Sequence, residues 1–189
     1  MKIIQLKETE RIKEGLRILT EEFIEEYPYY STWIKKNEAT FKDRTRVVYE
    51  LNDNEKTVGY MMIHFSTTKC AKINGIYVFP NCQKRGYAKE ALLQIIKELK
   101  EQNYDYAFIQ TRTHNKIVVH MFDTLHFDVI GQNYHKIEKQ PNWVAVYDLN
   151  RKRNFDEMYA LAVQLYPGFV KNWYAMGQGI EWYLAFFLI

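Results

Sequence analysis

The chain has 189 residues with 26 basic and 23 acidic side chains, and its formal net charge of +3, with no basic arm, is too small to mark a nucleic-acid-binding protein. An apolar fraction of 47% with 16% aromatic residues excludes a disordered chain. The length suits one domain, or one domain with an appendage, and is enough to bury roughly two-thirds of the unfolded surface. Cys70 and Cys82 are the only cysteines, and their separation fits neither a zinc pair nor a dithiol redox motif. Free thiols and no metal site are expected, because the histidines form no zinc-type pair either. Residues 1–6 become charged too soon for a secretory leader, which makes the cytoplasm the expected compartment.

Residues 3–6 read as a first strand, and Thr9 as the cap of a helix on which Ile12, Leu16, Leu19 and Phe23 share one stripe. Glu21, Glu22, Glu25 and Glu26 crowd the end of that helix, where its dipole disfavours acids, before Tyr27-Pro28 breaks it. Either these acids serve solubility alone or they face a site for a cationic amine. Residues 45–51 and 57–65 read as strands of a hairpin, joined by the polar link 52–56. A third antiparallel strand follows at 71–79, and apolar residues on both of its alternating sets mark it as central. Pro80 ends it. Beyond Gly86, Leu92, Ile95, Ile96 and Leu99 recur at helical spacing, with Lys89, Glu90, Lys97 and Glu98 opposite them. This crossover helix leads to a parallel strand at 106–111.

A strand that enters a helix through a glycine-containing loop leaves several N–H groups free at the helix start, reinforced by the helix dipole. Such a site attracts phosphate. Gly86 and small Ala88 let the backbone approach an anion, and Lys84 and Arg85 add positive charge. From the residues alone, an ordinary turn with a solvated basic loop reads the same way.

The hexapeptide Gln83-Lys84-Arg85-Gly86-Tyr87-Ala88 resembles the Q/R-x-x-G-x-G/A signature of the GNAT superfamily of N-acetyltransferases, and Val78-Phe79-Pro80 stands where that family has V-x-P. The resemblance implies a mixed, mostly antiparallel sheet flanked by helices. It also implies acetyl-coenzyme A as cofactor, with Gln83 to Ala88 at the pyrophosphate and Ile76, Tyr77 and Val78 along the thioester, between splayed strands beginning near Ile73 and Tyr106. Residues 115–127 are similar to the family's N-x-x-A-x-x-L-Y-x-K-x-G-F helix and turn. Asn115 takes the place of the cofactor-contacting asparagine and Phe127 that of the closing phenylalanine. Two positions depart from the pattern. His126 replaces the glycine, and Phe122, at a cofactor-contacting position, replaces the tyrosine that often protonates the leaving thiolate. In the family the first two helices wall the acceptor pocket, which makes Glu25, Glu26, Tyr29, Tyr30 and Trp33 the acceptor-site candidates.

Acetyl transfer to an amine requires an oxyanion donor, a neutral amine and a proton for the thiolate. A backbone N–H of Tyr77 or Val78 meets the first requirement. Where some family members place a glutamate base, this chain has Ala71-Lys72-Ile73, and a water chain is the substitute. His64, His114 and His120 are the candidates for proton transfer, the role to which the histidine side chain is suited. His120 is the catalytic candidate on the Asn115 helix, while Tyr134 and His135, on a late loop, are candidates for the displaced acid. Residues 127–131 and 142–149 read as the last strands, linked by the polar stretch 133–141. The resemblance covers residues 3–149. A further region, 150–189, holds a helix carrying Phe155, Met158, Leu161, Ala162 and Leu165, and an apolar stretch at 182–189 too short to span a bilayer. It is expected to pack on the parent domain or on a second subunit of a homodimer. The reading is an N-acetyltransferase acting on a small-molecule or protein amine without nucleic-acid or membrane partners; the alternative is a non-catalytic acyl-CoA-binding module of the same fold.

Overall fold

A computed structural model describes residues 1–43, 45–66, 69–134, 140–166 and 168–171. Contacts divide the chain into two units, Met1–Glu98 and Leu99–Ile189. In the first, β1 (Lys2–Gln5), β2 (Arg46–Asp53), β3 (Lys56–Phe65) and β4 (Cys70–Val78) pair antiparallel in sequence order. The β2–β3 turn is the two residues Asn54 and Glu55, with φ of 49° and 67°. Positive φ at both positions is type I′ geometry, whose twist matches that of the paired strands. Both strands therefore run further than their apolar alternation indicates.

Three helices cover one face of these strands: α1 (Thr9–Phe23), α2 (Tyr30–Lys36) and α3 (Glu38–Lys42). Leu6, Leu19 and Phe41 meet Val48, Tyr60 and Met62 there, with Phe23, Tyr30, Trp33, Tyr77 and Phe79 packed around them. The expected α1 stripe is the packed one, and full burial of Leu19 contributes about 1.5–3 kcal/mol. Gly15 lets α1 come close, since a Cβ there would stand 3.0 Å from Val48. The helix start differs from expectation: Thr9 is the first helical residue, and Glu8 precedes it without a side-chain cap.

Tyr49 belongs to the other face, where α4 (Tyr87–Glu101) buries Ala91, Leu92, Ile95 and Ile96. Tyr49 donates to Glu98 at 3.1 Å, and Gln94 accepts from the Ile3 N–H at 3.1 Å. Between β3 and β4 the register shifts: Met62 faces Gly75 and Ile63 faces Ile73, so Asn74 is an extra, bulged residue.

The second unit holds β5 (Tyr106–Arg112), α5 (Lys116–Thr124), β6 (Asp128–Tyr134), β7 (Pro141–Asp148), α6 (Phe155–Leu165) and β8 (Phe169–Lys171). Its strands pair antiparallel in the order β5-β7-β6-β8. Tyr134 is thus the last residue of a strand, not part of a loop, and β7 opens on Pro141, the end position at which a missing N–H is tolerated. β8 carries no alternation long enough to read from sequence; it lies against β6 where Gly131 permits close approach, a Cβ there falling 2.4 Å from the Val170 carbonyl. Asn154 caps α6 by accepting from the Glu157 N–H, and the Tyr106 hydroxyl donates to the Glu157 carboxylate at 2.8 Å. His135 and the apolar stretch 182–189 lie outside the described residues. Among those described, no helix is long and apolar enough to cross a membrane. The fold is mixed α/β with mostly antiparallel strands flanked by helices, as the sequence implied.

Candidate active site

The loop from β4 to α4 is shaped for an anion. After a single 3-10 turn at Pro80–Cys82, the Gln83 side-chain amide folds back and donates to the Val78 carbonyl at 3.0 Å. The backbone then passes through Lys84 at φ 61° and Gly86 at φ 84°. Left-handed residues in a tight loop gather successive N–H groups on one concave side. A Cβ at Gly86 would meet nothing within 4 Å, so open space faces the glycine, which is required for its φ. The first hydrogen bond of α4 runs from the Glu90 N–H to the Gly86 carbonyl at 3.0 Å. The amides of Tyr87, Ala88 and Lys89 precede it, at the positive end of the helix. Lys84 and Arg85 are exposed beside them. Tyr87 fixes the helix start by donating its hydroxyl to Asp53 at 2.7 Å, a bond that also holds the phenol above its ordinary pKa. These groups fit a pyrophosphate.

The register of β4 decides which backbone groups face which edge. The Phe79 N–H donates to the Val58 carbonyl at 2.9 Å, and the Tyr77 carbonyl stands 2.1 Å from where Gly59 would carry a Cβ. Residues of one parity in an antiparallel ladder send both backbone groups to the same side. Tyr77 is therefore bonded towards β3, and the N–H groups of Ile76 and Val78 point to the opposite edge. The sequence reading named the Tyr77 or the Val78 N–H as oxyanion donor; the ladder with β3 uses the Tyr77 N–H.

The Tyr77 side chain lies on the α1 face of the strands. Its hydroxyl bonds to Glu22, and burial, reinforced by that carboxylate, pushes its pKa up to about 12, so the phenol stays protonated at neutral pH. Phe23 covers Gly75, where a Cβ would come within 2.6 Å of the ring. Phe23, Tyr30 and Trp33 continue as an aromatic row, with ring centroids 5.3 and 5.7 Å apart. Two of the acceptor candidates, Tyr30 and Trp33, are thus brought together beside β4, whereas Glu25, Glu26 and Tyr29 are exposed between α1 and α2. Burial raises the pKa of Tyr30. Glu22 stood in the sequence reading as one of four acids serving solubility or facing an amine, without being singled out as an acceptor-site candidate; it falls three residues after Leu19, on the sheet-facing side of α1. Glu21, by contrast, pairs with Arg17 on the surface at 2.6 Å.

A row of bases crosses the same face. Arg46 of β2 is opposite His64 of β3, which is opposite Lys72 of β4. Arg46 is only 9% exposed; its Nη1 donates to Thr40 Oγ1 at 2.7 Å, and its guanidinium lies 5.1 Å from the Trp33 ring centre. Burial and then the neighbouring charges of Arg46 and Lys72 push His64 down to about 4. Burial and Arg46 push Lys72 down to about 7. Lys72 was legible as the residue standing where a glutamate base was sought, but Arg46 was hidden in what reads as a plain strand.

In the second unit, Asn115 caps α5 by accepting from the Val118 N–H at 3.2 Å. His120 is exposed, and Phe122, two residues on and so turned to the other side of the helix, is fully buried against Phe127 at 5.7 Å. His114 is exposed on the loop before the helix, and Tyr134 ends β6 with 47% exposure. Among the described residues no group of His, Cys, Asp and Glu could hold a metal ion.

A strand that enters a helix through this left-handed loop, with two cations beside it, defines an anion-binding domain of mixed α/β fold. The profile of the acetyltransferase (GNAT) family matches residues 12–127, and solved structures agree in fold. Spermidine N-acetyltransferase from Vibrio cholerae in complex with CoA and spermine aligns with a TM-score of 0.65 at 12% identity, covering 79% of this chain and 96% of the other. The ribosomal-protein-S18-alanine N-acetyltransferase from Escherichia coli gives 0.62 at 15% identity, covering 81% and 96%. A GNAT family acetyltransferase from Elizabethkingia anophelis with acetyl-CoA bound gives 0.60 at 13% identity, covering 78% and 97%. No curated protein sequence matches. The chain belongs to the GNAT acetyltransferase family, and it is an acyltransferase with acetyl-CoA as cosubstrate.

Proposed function

We propose that this protein transfers the acetyl group of acetyl-CoA to an amine of a small molecule or protein by direct attack. The observation that carries the reading is the loop at residues 83–88, with its left-handed Lys84 and Gly86 and the first-turn amides of α4 beside two cations. Acetyl-CoA supplies the activated thioester. The amides of Lys84 to Ala88 hold its phosphates, and Gln83, by occupying the Val78 carbonyl, keeps the loop folded against the strand end. The Val78 N–H donates to the oxyanion. Glu22, held by the Tyr77 hydroxyl, attracts the acceptor ammonium and takes its proton. The neutral amine attacks the carbonyl carbon, a C–N bond forms and the C–S bond breaks; the nitrogen gives up its second proton to water, and water returns one to the thiolate, because Phe122 has none to give. Spermidine and the alanine of ribosomal protein S18, named for two similar structures, are both amine acceptors, which supports an amine here.

The test is calorimetric titration with acetyl-CoA, in the parent and in Gly86→Glu, followed by thiol release with an amine panel. Micromolar binding lost in the variant, with its circular dichroism unchanged, is the expected result. A left-handed glutamate costs about 1–2 kcal/mol, which a domain of this size tolerates. Binding that survives the substitution overturns the phosphate-loop assignment; binding without thiol release from any amine overturns the transfer.

A further inference from the structure

We propose that the Gln94 side chain of α4 guards the outer edge of β1 against strand pairing, and that the partner this edge takes when Gln94 is withdrawn is β1 of a second copy of the chain. The inference concerns assembly and is independent of the acetyl-transfer reading above.

Three observations carry it. First, β1 is an edge strand: among the described residues it pairs with β2 alone. The Leu6 N–H donates to the Val48 carbonyl at 2.9 Å, and the register that sets Lys2 opposite Asn52 and Ile4 opposite Glu50 gives these residues the same parity as Leu6. Lys2, Ile4 and Leu6 therefore turn both backbone groups to β2, while Ile3 and Gln5 turn theirs outward. Such an edge is a template for a further strand. Second, Gln94 occupies the start of that template. Its Oε1 accepts from the Ile3 N–H at 3.1 Å, and its Nε2 donates to the Met1 carbonyl at 3.0 Å. A residue of a parallel strand opposite Lys2 would make the same two bonds with its own C=O and N–H. The carboxamide thus substitutes for one residue of a neighbouring strand. Third, α4 is held where this carboxamide meets the edge. Tyr87, Gln94 and Glu98 fall on one side of the helix. Tyr87 donates to Asp53 at 2.7 Å and Glu98 accepts from Tyr49 at 3.1 Å, both partners on β2. Gln94 leaves the far end of the edge uncovered: Gln5 is exposed, and Ile4 leaves 38% of its surface to solvent. With Gln94 withdrawn, two copies related by a two-fold axis join antiparallel, Ile3 of each exchanging both backbone bonds with Gln5 of the other. Ile4 then faces Ile4 of the second copy as a non-hydrogen-bonded pair, with Cα atoms about 4.5 Å apart, within the span of a disulfide.

The test is sedimentation velocity on the full chain over a range of concentrations, in the parent and in Gln94→Leu, which keeps the bulk of the side chain and removes both bonds. Gln94→Leu is expected to show a concentration-dependent species beyond the parent's own state, with association at least about tenfold tighter, the size of two hydrogen bonds no longer held by the guard. Adding Gln5→Pro, which an edge strand tolerates but which has no N–H to give, is expected to abolish that species. Ile4→Cys reads the register, placed in a Cys82→Ser background so that buried Cys70 is the one native thiol left. Oxidation is expected to link two copies at least about tenfold faster in Gln94→Leu than with Gln94 in place, in proportion to the tighter association. Parent-like sedimentation of Gln94→Leu, association that persists with Gln5→Pro, or equal linking rates overturns the proposal. Gln94→Ala provides the same comparisons if circular dichroism shows that Gln94→Leu does not fold.

Discussion

His126 follows α5 with φ 60°, in the region where only glycine escapes a clash between Cβ and carbonyl. The motif that 115–127 resembles has its glycine at this position, and the departure noted in the sequence is, in the structure, a strained C-terminal cap. His126→Gly is expected to stabilise the protein by about 1 kcal/mol, raising Tm by about 2–4 °C in calorimetry; an unchanged or lower Tm would mean that the imidazole makes a compensating interaction. Individual residues were unevenly legible for a physical reason. Gly86 could be found because its requirement, positive φ at a helix entrance, is local. The choice of Val78 over Tyr77 could not, because parity is set by the register with β3, to which the sequence of β4 alone is blind. Phe122 stood out as a missing hydroxyl, while its burial depends on how α5 packs.

At the scale of elements, α4 and the end of β2 are joined by the bond from Tyr87 to Asp53, which aims the helix start and the loop before it. Tyr87→Phe removes the bond and keeps the ring. The expected cost is about 0.5–1.5 kcal/mol of stability, and acetyl-CoA affinity should fall several-fold because the amides lose their fixed direction. Calorimetric titration alongside urea unfolding separates the two effects, and full affinity in the variant would show that the loop holds its shape unaided. Elements with long periods, α1, α4 and α6, were readable because a stripe of apolar residues leaves few alternatives. The hairpin was readable, but its turn was drawn too long: Asn54-Glu55 lacks the glycine that announces a type I′ turn. The Asn74 bulge and β8 were not readable, one because it is a mismatch between two strands and the other because three residues carry no period.

Across the molecule, the row Arg46–His64–Lys72 couples folding to pH. His64 titrates near 4 when folded against an ordinary 6.5, and Lys72 near 7 against 10.5. Between each pair of values the unfolded chain binds more protons than the folded one, so stability rises with pH from about 4 to 6.5 and again from about 7 to 10.5. Below the lower window the His64 contribution is gone. Asp43 and Glu14, whose pKa values are lowered by hydrogen bonds to Thr45 and Arg17, also favour the folded state less as the solution becomes acidic, so comparison with variants is needed to isolate the row. Urea unfolding at a series of pH values is expected to show a flatter lower window in His64→Gln and a flatter upper window in Lys72→Met. Arg46→Gln should flatten part of both, since its charge acts on each neighbour. Slopes equal to the parent's in all three variants would mean that solvent screens the row and that its bases do not act as a unit.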